Sequence, residues 1–292
     1  MLYLVAALIF NVLVSAILKM FSRYGINSLQ AIVTNYCICV VTGCLFTGNM
    51  PFTAGTLHTT WLPWAVLMGI SFITIFNLTA HCTNVDGMTT TVMASKLSLV
   101  IPVICSVLLY NDKLNIGKVT GIMLAFPAVY LSTRSNDKND KPLNLFWPAL
   151  LFVLSGSLDT LVNFIQASFL HTADAQAACT IVCFATAGAT GIIIVVVLLA
   201  LKKITLEWKN IIAGICLGIP NFFSIYYLVR GLNSNSFQSS ATIPLFNISI
   251  LVATTLVAML FFKEKAGKWR LIGLALATAA ILLIAFGDAA AA

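Results

Sequence analysis

Long apolar runs, each closed by a short polar island, divide the chain from one end to the other. A helix that crosses a bilayer needs about 20 predominantly apolar residues. The polar breaks leave segments of that order at 1–20, 29–47, 61–82, 88–110, 117–132, 145–170, 176–201, 211–231, 237–262 and 269–286. The runs are too long for single strands and lack the dyad alternation of a membrane barrel. The pattern predicts an all-α integral membrane protein with ten transmembrane helices, the fifth being the shortest.

Composition agrees with the pattern. Of 292 residues, 60% are hydrophobic and 9% charged, and the mean hydropathy is +1.00. Soluble domains carry about 25% charged residues. The formal net charge of +7 is scattered among separate islands, so no basic domain offers a nucleic-acid face, and no nucleic-acid partner is expected. The islands after odd-numbered segments hold Lys19, Arg23, Arg134, Lys138, Lys141, Lys202, Lys203, Lys209, Lys263, Lys265, Lys268 and Arg270, whereas the other side holds Lys113, Lys118 and Arg230. Basic loops stay in the cytoplasm. The asymmetry predicts cytoplasmic odd loops and both termini outside, in a bacterial inner membrane.

The eight cysteines form no CxxC pair and no Cys/His ligand spacing, so they read as small packing residues and no metal or cofactor is expected. The first apolar run has neither a basic leader nor a small-residue cleavage motif, and is expected to be a retained helix. Residues 289–292, all alanine, are expected to be an appended tail outside the fold.

A repeat is visible within the chain. Residues 108–124 read LLYNDKLNIGKVTGIML and residues 260–276 read LFFKEKAGKWRLIGLAL. Each has an apolar helix end, then an acidic residue and lysine (Asp112-Lys113, Glu264-Lys265), then glycine eight residues after that lysine (Gly121, Gly273). Carried upstream with small gaps, the register sets Gly69 against Gly218 and Asn11 against Asp159. It divides the chain into halves at 1–133 and 145–288, joined by a basic loop at 134–144. Five helices per half is an odd number, so the second half enters the membrane inverted, the arrangement of many transporters.

With this punctuation the chain resembles the drug/metabolite transporter superfamily, specifically the EamA-like ten-helix permeases. Members often carry Gly-Glu where this chain has Asn111-Asp112 and Lys263-Glu264. The resemblance implies two inverted five-helix repeats and secondary active transport of a small organic metabolite by alternating access. It also implies a central cavity lined by helices of both halves.

Lys96 is the most informative single residue, because a lysine within an apolar run costs about 2.5–3.5 kcal/mol on insertion scales. Binding an anionic or zwitterionic, amino-acid-like cargo would repay that cost, as would a structural ion pair or snorkelling to the interface. Asp159 is its candidate counter-charge. Ser155, Asp159, Asn163 and Gln166 share one face of the sixth segment, suited to cargo binding or to interhelical packing. Asn11 and Ser15 repeat that face more weakly in the first segment.

The fourth and ninth segments are repeat partners. Each contains a proline, Pro102 or Pro244, and opens with polar residues. Thr89 shares a face with Lys96, and Ser240 with Asn247. A proline that breaks such a helix is tolerated where the backbone lines a cavity, and also serves as a packing kink. Asn221 and Tyr227, near Pro220, extend the candidate lining. The expected partners are therefore a small-molecule substrate, membrane lipid and a coupling proton or counter-substrate. No Walker loop, zinc motif or nucleophile elbow is present, so the chain reads as a non-enzyme, with an intramembrane enzyme or a channel as the alternatives.

Overall fold

The computed structural model describes residues 2–47, 59–110, 116–133, 145–169, 173–233, 239–264 and 267–286, and among them there is no strand. The helices are α1 (Leu2–Arg23), α2 (Ser28–Thr47), α3 (Leu62–Val85), α4 (Met88–Leu97), α5 (Val100–Tyr110), α6 (Ile116–Thr133), α7 (Phe146–Phe169), α8 (Ala173–Ala200), α9 (Trp208–Asn233), α10 (Ser239–Leu260) and α11 (Lys268–Phe286). Each expected apolar segment is helical over most of its described length. The fourth is two helices, α4 and α5. Among the described residues, seven spans are apolar enough by length and composition to cross a bilayer, with Met88–Cys105 counted as one, and 116–131 and 245–260 are shorter apolar helices. These are the helices of an integral membrane protein.

Two compact units make up the chain. One holds residues 1–19, 82–157 and 224–292, the other residues 20–81 and 158–223. Each draws on both sequence halves.

In the first unit α6 packs along α11, and α4 packs on α6, α10 and α11. The α6–α11 seam is built from small residues: Ala125, Ala128, Ala277 and Ala280 are fully buried. A Cβ on Gly121 would lie 2.8 Å from the Ala280 carbonyl oxygen. Val92, Met93 and Leu97 of α4 join the same apolar core, with Phe246, Ile250 and Leu251 of α10.

In the second unit α2 packs along α8, and backbone-to-backbone approach recurs at glycine. A Cβ on Gly69 of α3 would meet the Cys183 carbonyl oxygen at 2.7 Å and Thr186 Cβ at 2.6 Å. One on Gly218 of α9 would meet the Asn35 carbonyl oxygen at 2.9 Å and Ile38 Cβ at 2.8 Å. In hydrocarbon no water is expelled when two helices meet, so this close van der Waals approach is what holds them.

Adding a methyl at either contact must push two backbones apart. Gly69→Ala and Gly218→Ala are each expected to lower stability by about 1–3 kcal/mol, seen as a lower unfolding midpoint of the purified protein. Ser157→Ala, at an exposed position whose hydroxyl bonds to the Val153 carbonyl of its own helix, is expected to leave the midpoint unchanged.

Candidate functional site

The interruption between α4 and α5 follows from Pro102. A proline has no N–H, so the Ser98 carbonyl loses its ordinary helical donor four residues on. The Ile101 N–H takes that carbonyl instead at 2.9 Å, a tighter turn, and the Ser98 hydroxyl donates to the Ser95 carbonyl at 2.6 Å. Gly156 of α7 lies against the break: a Cβ there would stand 2.7 Å from the Ser98 carbonyl oxygen and 2.5 Å from Ile101 Cδ1. Lys96 sits two residues before the break and is half-buried, between buried Ala94 and Leu97. A cation, a broken helix and a carbonyl outside the regular ladder thus come together at one level of the first unit.

The other end of α4 is fixed by charge. Glu264 Oε1 accepts the Met88 N–H at 2.9 Å and its Oε2 accepts the Thr89 hydroxyl at 3.4 Å, so the carboxylate caps the helix N-terminus. Such a position favours an anion. Lys19 Nζ is 3.1 Å from the same carboxylate and donates to the Thr83 carbonyl at 2.9 Å, while Arg270 approaches Glu264 at 3.8 Å. Gly87 has φ 97°, a conformation that favours glycine, and a Cβ there would lie 3.1 Å from both carboxylate oxygens.

Other expected residues divide between the two units. In the first, Asn11 and Ser15 are half-buried on α1, with the Ser15 hydroxyl bonded to the Asn11 carbonyl at 3.2 Å. Asn247 is half-buried on α10. Tyr227 stacks between Tyr3 and Phe10, with centroids 6.1 and 5.9 Å away. Beside them Arg230 lies over the Tyr3 and Tyr226 rings and bonds the Tyr226 hydroxyl.

In the second unit Asp159 and Asn163 are exposed on α7, as is Gln166, whereas Ser155, in the first-unit part of that helix, is buried. The Asn221 amide is buried and donates to Asn35 Oδ1 at 3.1 Å and to Cys39 Sγ at 3.6 Å. Thr89 and Asn221 are therefore engaged by protein groups. The side chain of Ser240, like Asp112, lies outside the described residues. Pro244 differs from Pro102 in that α10 runs through it without a break.

Sequence reading passed over two clusters. Glu264 entered it only as a repeat marker, although an acidic residue just beyond a helix end was the available signal. The second is Gln30, buried on α2, which accepts from the Asn210 amide at 2.7 Å and donates to the Thr205 carbonyl at 2.7 Å. Amide side chains at the edges of apolar runs would have pointed to it. Among the described residues no group of three or more His, Cys, Asp or Glu is placed to hold a metal ion.

No protein-family model matches the chain. An uncharacterized protein of Haemophilus influenzae is 23% identical over 295 aligned positions, spanning 98% of each chain. A solved crystal structure is similar at a TM-score of 0.57 and 14% identity, spanning 95% of each chain. At that identity the likeness shows a shared fold alone.

Because Pro102 removes the bond that would join α4 to α5, restoring an amide there should make the two helices one. Pro102→Ala is expected to slow hydrogen exchange across residues 98–103 by about tenfold, without lowering the unfolding midpoint. Unchanged exchange would place the cause of the break elsewhere.

Proposed function

We propose that this chain is a secondary active transporter of the drug/metabolite transporter kind, built from two inverted five-helix repeats. It carries a small anionic or zwitterionic organic metabolite across a bacterial inner membrane by alternating access. The observation that carries the proposal is a pair of mirrored contacts. In the repeat register α2 corresponds to α8 and α3 to α9. Gly69 of α3 meets α8 at the Cys183 carbonyl and Thr186, while Gly218 of α9 meets α2 at the Asn35 carbonyl and Ile38. The register that equates Gly69 with Gly218 also brings Asn35 to Cys183 and Ile38 to Thr186, within one position. The agreement of these contacts with the sequence register, within one position, supports the repeat reading.

Two further features support the reading. Repeat counterparts pack on each other in the α6–α11, α2–α8 and α4–α10 pairs, as elements beside a pseudo-two-fold axis do. The bonds among Lys19, Thr83 and Glu264 gather the ends of the first, third and ninth spans, which an alternating path of ten spans would bring to one face. With the basic loops on that face, both termini lie outside the cytoplasm.

Lys96 supplies the chemistry. Its ammonium is held within an apolar run where water is scarce, so an anionic group of the cargo gains more there than in solution. The adjacent break provides backbone that can turn as cargo arrives. A carboxylate is the simplest partner for this cation.

The test begins with binding. Amino acids and small organic acids are screened for thermal stabilisation of the purified protein, since a ligand that binds the native state raises its apparent stability. Lys96→Gln should unfold at the wild-type temperature yet lose the stabilisation given by any hit, and Lys96→Arg should recover it only in part because its planar donor fork differs from an ammonium. Equal stabilisation of wild type and Lys96→Gln would remove Lys96 from the site.

A further inference from the structure

We infer that Glu264 is the positioning residue for Lys96: it anchors the N-terminus of α4 and thereby sets where the lysine stands. The inference rests on the transport reading only for its functional meaning. Its geometry stands by itself.

The case starts with how Glu264 is held. Beyond the end of α10 at Leu260, Lys263 turns the chain at φ 51°, and the Glu264 N–H returns to the Ala258 carbonyl of that helix at 3.0 Å. The backbone under the carboxylate is thereby fixed to α10, and its side chain is only 10% exposed. From that base the carboxylate reaches the first turn of α4 through Met88 and Thr89, the end of α1 through Lys19, and the start of α11 through Arg270. Lys19 in turn holds the last turn of α3 at the Thr83 carbonyl. One carboxylate joins four helices directly, and a fifth through its lysine.

The opposite end of α4 has no comparable continuity. The helix stops at Leu97, and Pro102 interrupts the hydrogen-bond ladder into α5. A ten-residue helix held by a charged anchor at one end, and joined to the next helix at the other only through one tightened turn, takes its axial position chiefly from the anchored end. Lys96 lies eight residues from Met88, about 12 Å along the axis, so a change in how Met88 is seated is carried to the lysine by a rigid rod. An amide at position 264 could still accept the Met88 N–H. It would give up the attraction of Lys19 and Arg270 that centres the group. The negative charge is what makes the anchor.

The experiment needs no substrate. Wild type, Glu264→Gln and Glu264→Asp are compared by hydrogen exchange of peptides covering residues 87–92. They are also compared by acetylation of Lys96 with an N-hydroxysuccinimide acetate, read by mass spectrometry against Lys209, a half-exposed lysine beside Glu207. In Glu264→Gln, exchange at 87–92 is expected to quicken about tenfold, and Lys96 acetylation relative to Lys209 to change about fivefold. Glu264→Asp, which keeps the charge on a shorter arm, should recover part of both.

Wild-type values of both in folded Glu264→Gln would overturn the inference. So would quickened exchange with unchanged Lys96 acetylation, because the anchor would then be local and not positioning. Should Glu264→Gln not be recovered folded, Lys19→Gln takes its place, since it leaves the carboxylate on the helix terminus. A threefold quickening at 87–92 together with altered Lys96 acetylation supports the anchor, and wild-type values of either overturn it. These outcomes are separable from transport: an altered Lys96 footprint beside undiminished ligand binding by Lys96→Gln would leave the anchor standing and end the transport role of the lysine.

Discussion

Helices in a bilayer meet without expelling water, so the distance of closest approach decides whether they stay together. In this chain that distance is set by glycine and alanine. Gly69, Gly218 and Gly121 each lie where a Cβ would come within 3 Å of a carbonyl oxygen on the neighbouring helix, and Gly156 does the same at the Ser98 carbonyl. Larger residues at these positions would separate the α3–α8, α9–α2, α6–α11 and α7–α4 contacts. The Asn221 amide buried beside them reaches Asn35 Oδ1 because the backbones are already close.

The broken fourth span depends on the same close approach. Its Ser98 carbonyl, taken by the Ile101 N–H, lies against Gly156, where no side chain intervenes, and its Met88 amide donates to Glu264. Unpaired backbone groups away from water are costly. Here one end of α4 is satisfied by a carboxylate with two cations around it and the other by a tightened turn. Lys96 stands between those two solutions, on a helix short enough to move as one piece. A mid-span lysine on a helix continuous with α5 would be harder to reposition, because the whole span would have to follow it.

Much of this was legible in the residues. The lengths of the apolar runs gave the helices, whereas Pro102 read equally as a break or a packing kink in a single span, and the structure has the break. The contrast with Pro244 was not legible, because two prolines with the same local chemistry sit in helices that respond differently. Glu264 was visible as an acid beyond a helix end, yet its capping of α4 depends on a contact 176 residues away in sequence. Asp159 and Asn163 did share a helical face, but periodicity states only that they lie together and not what they face. Both are exposed, while Ser155 of the same stripe is buried. The repeat was read from its acidic-lysine punctuation, whereas the mirrored contacts offered in its support lie at glycines that carry no charge at all.

Inversion of the second half relative to the first is the claim on which alternating access rests, and the side of the membrane reached by two points of the chain tests it directly. A reporter active only in the cytoplasm is placed within residues 134–144 or after residue 286, in otherwise intact chains. Two inverted five-helix halves with both termini outside predict activity at 134–144 and none after 286. Activity at both positions, or after 286 alone, would contradict the proposed arrangement.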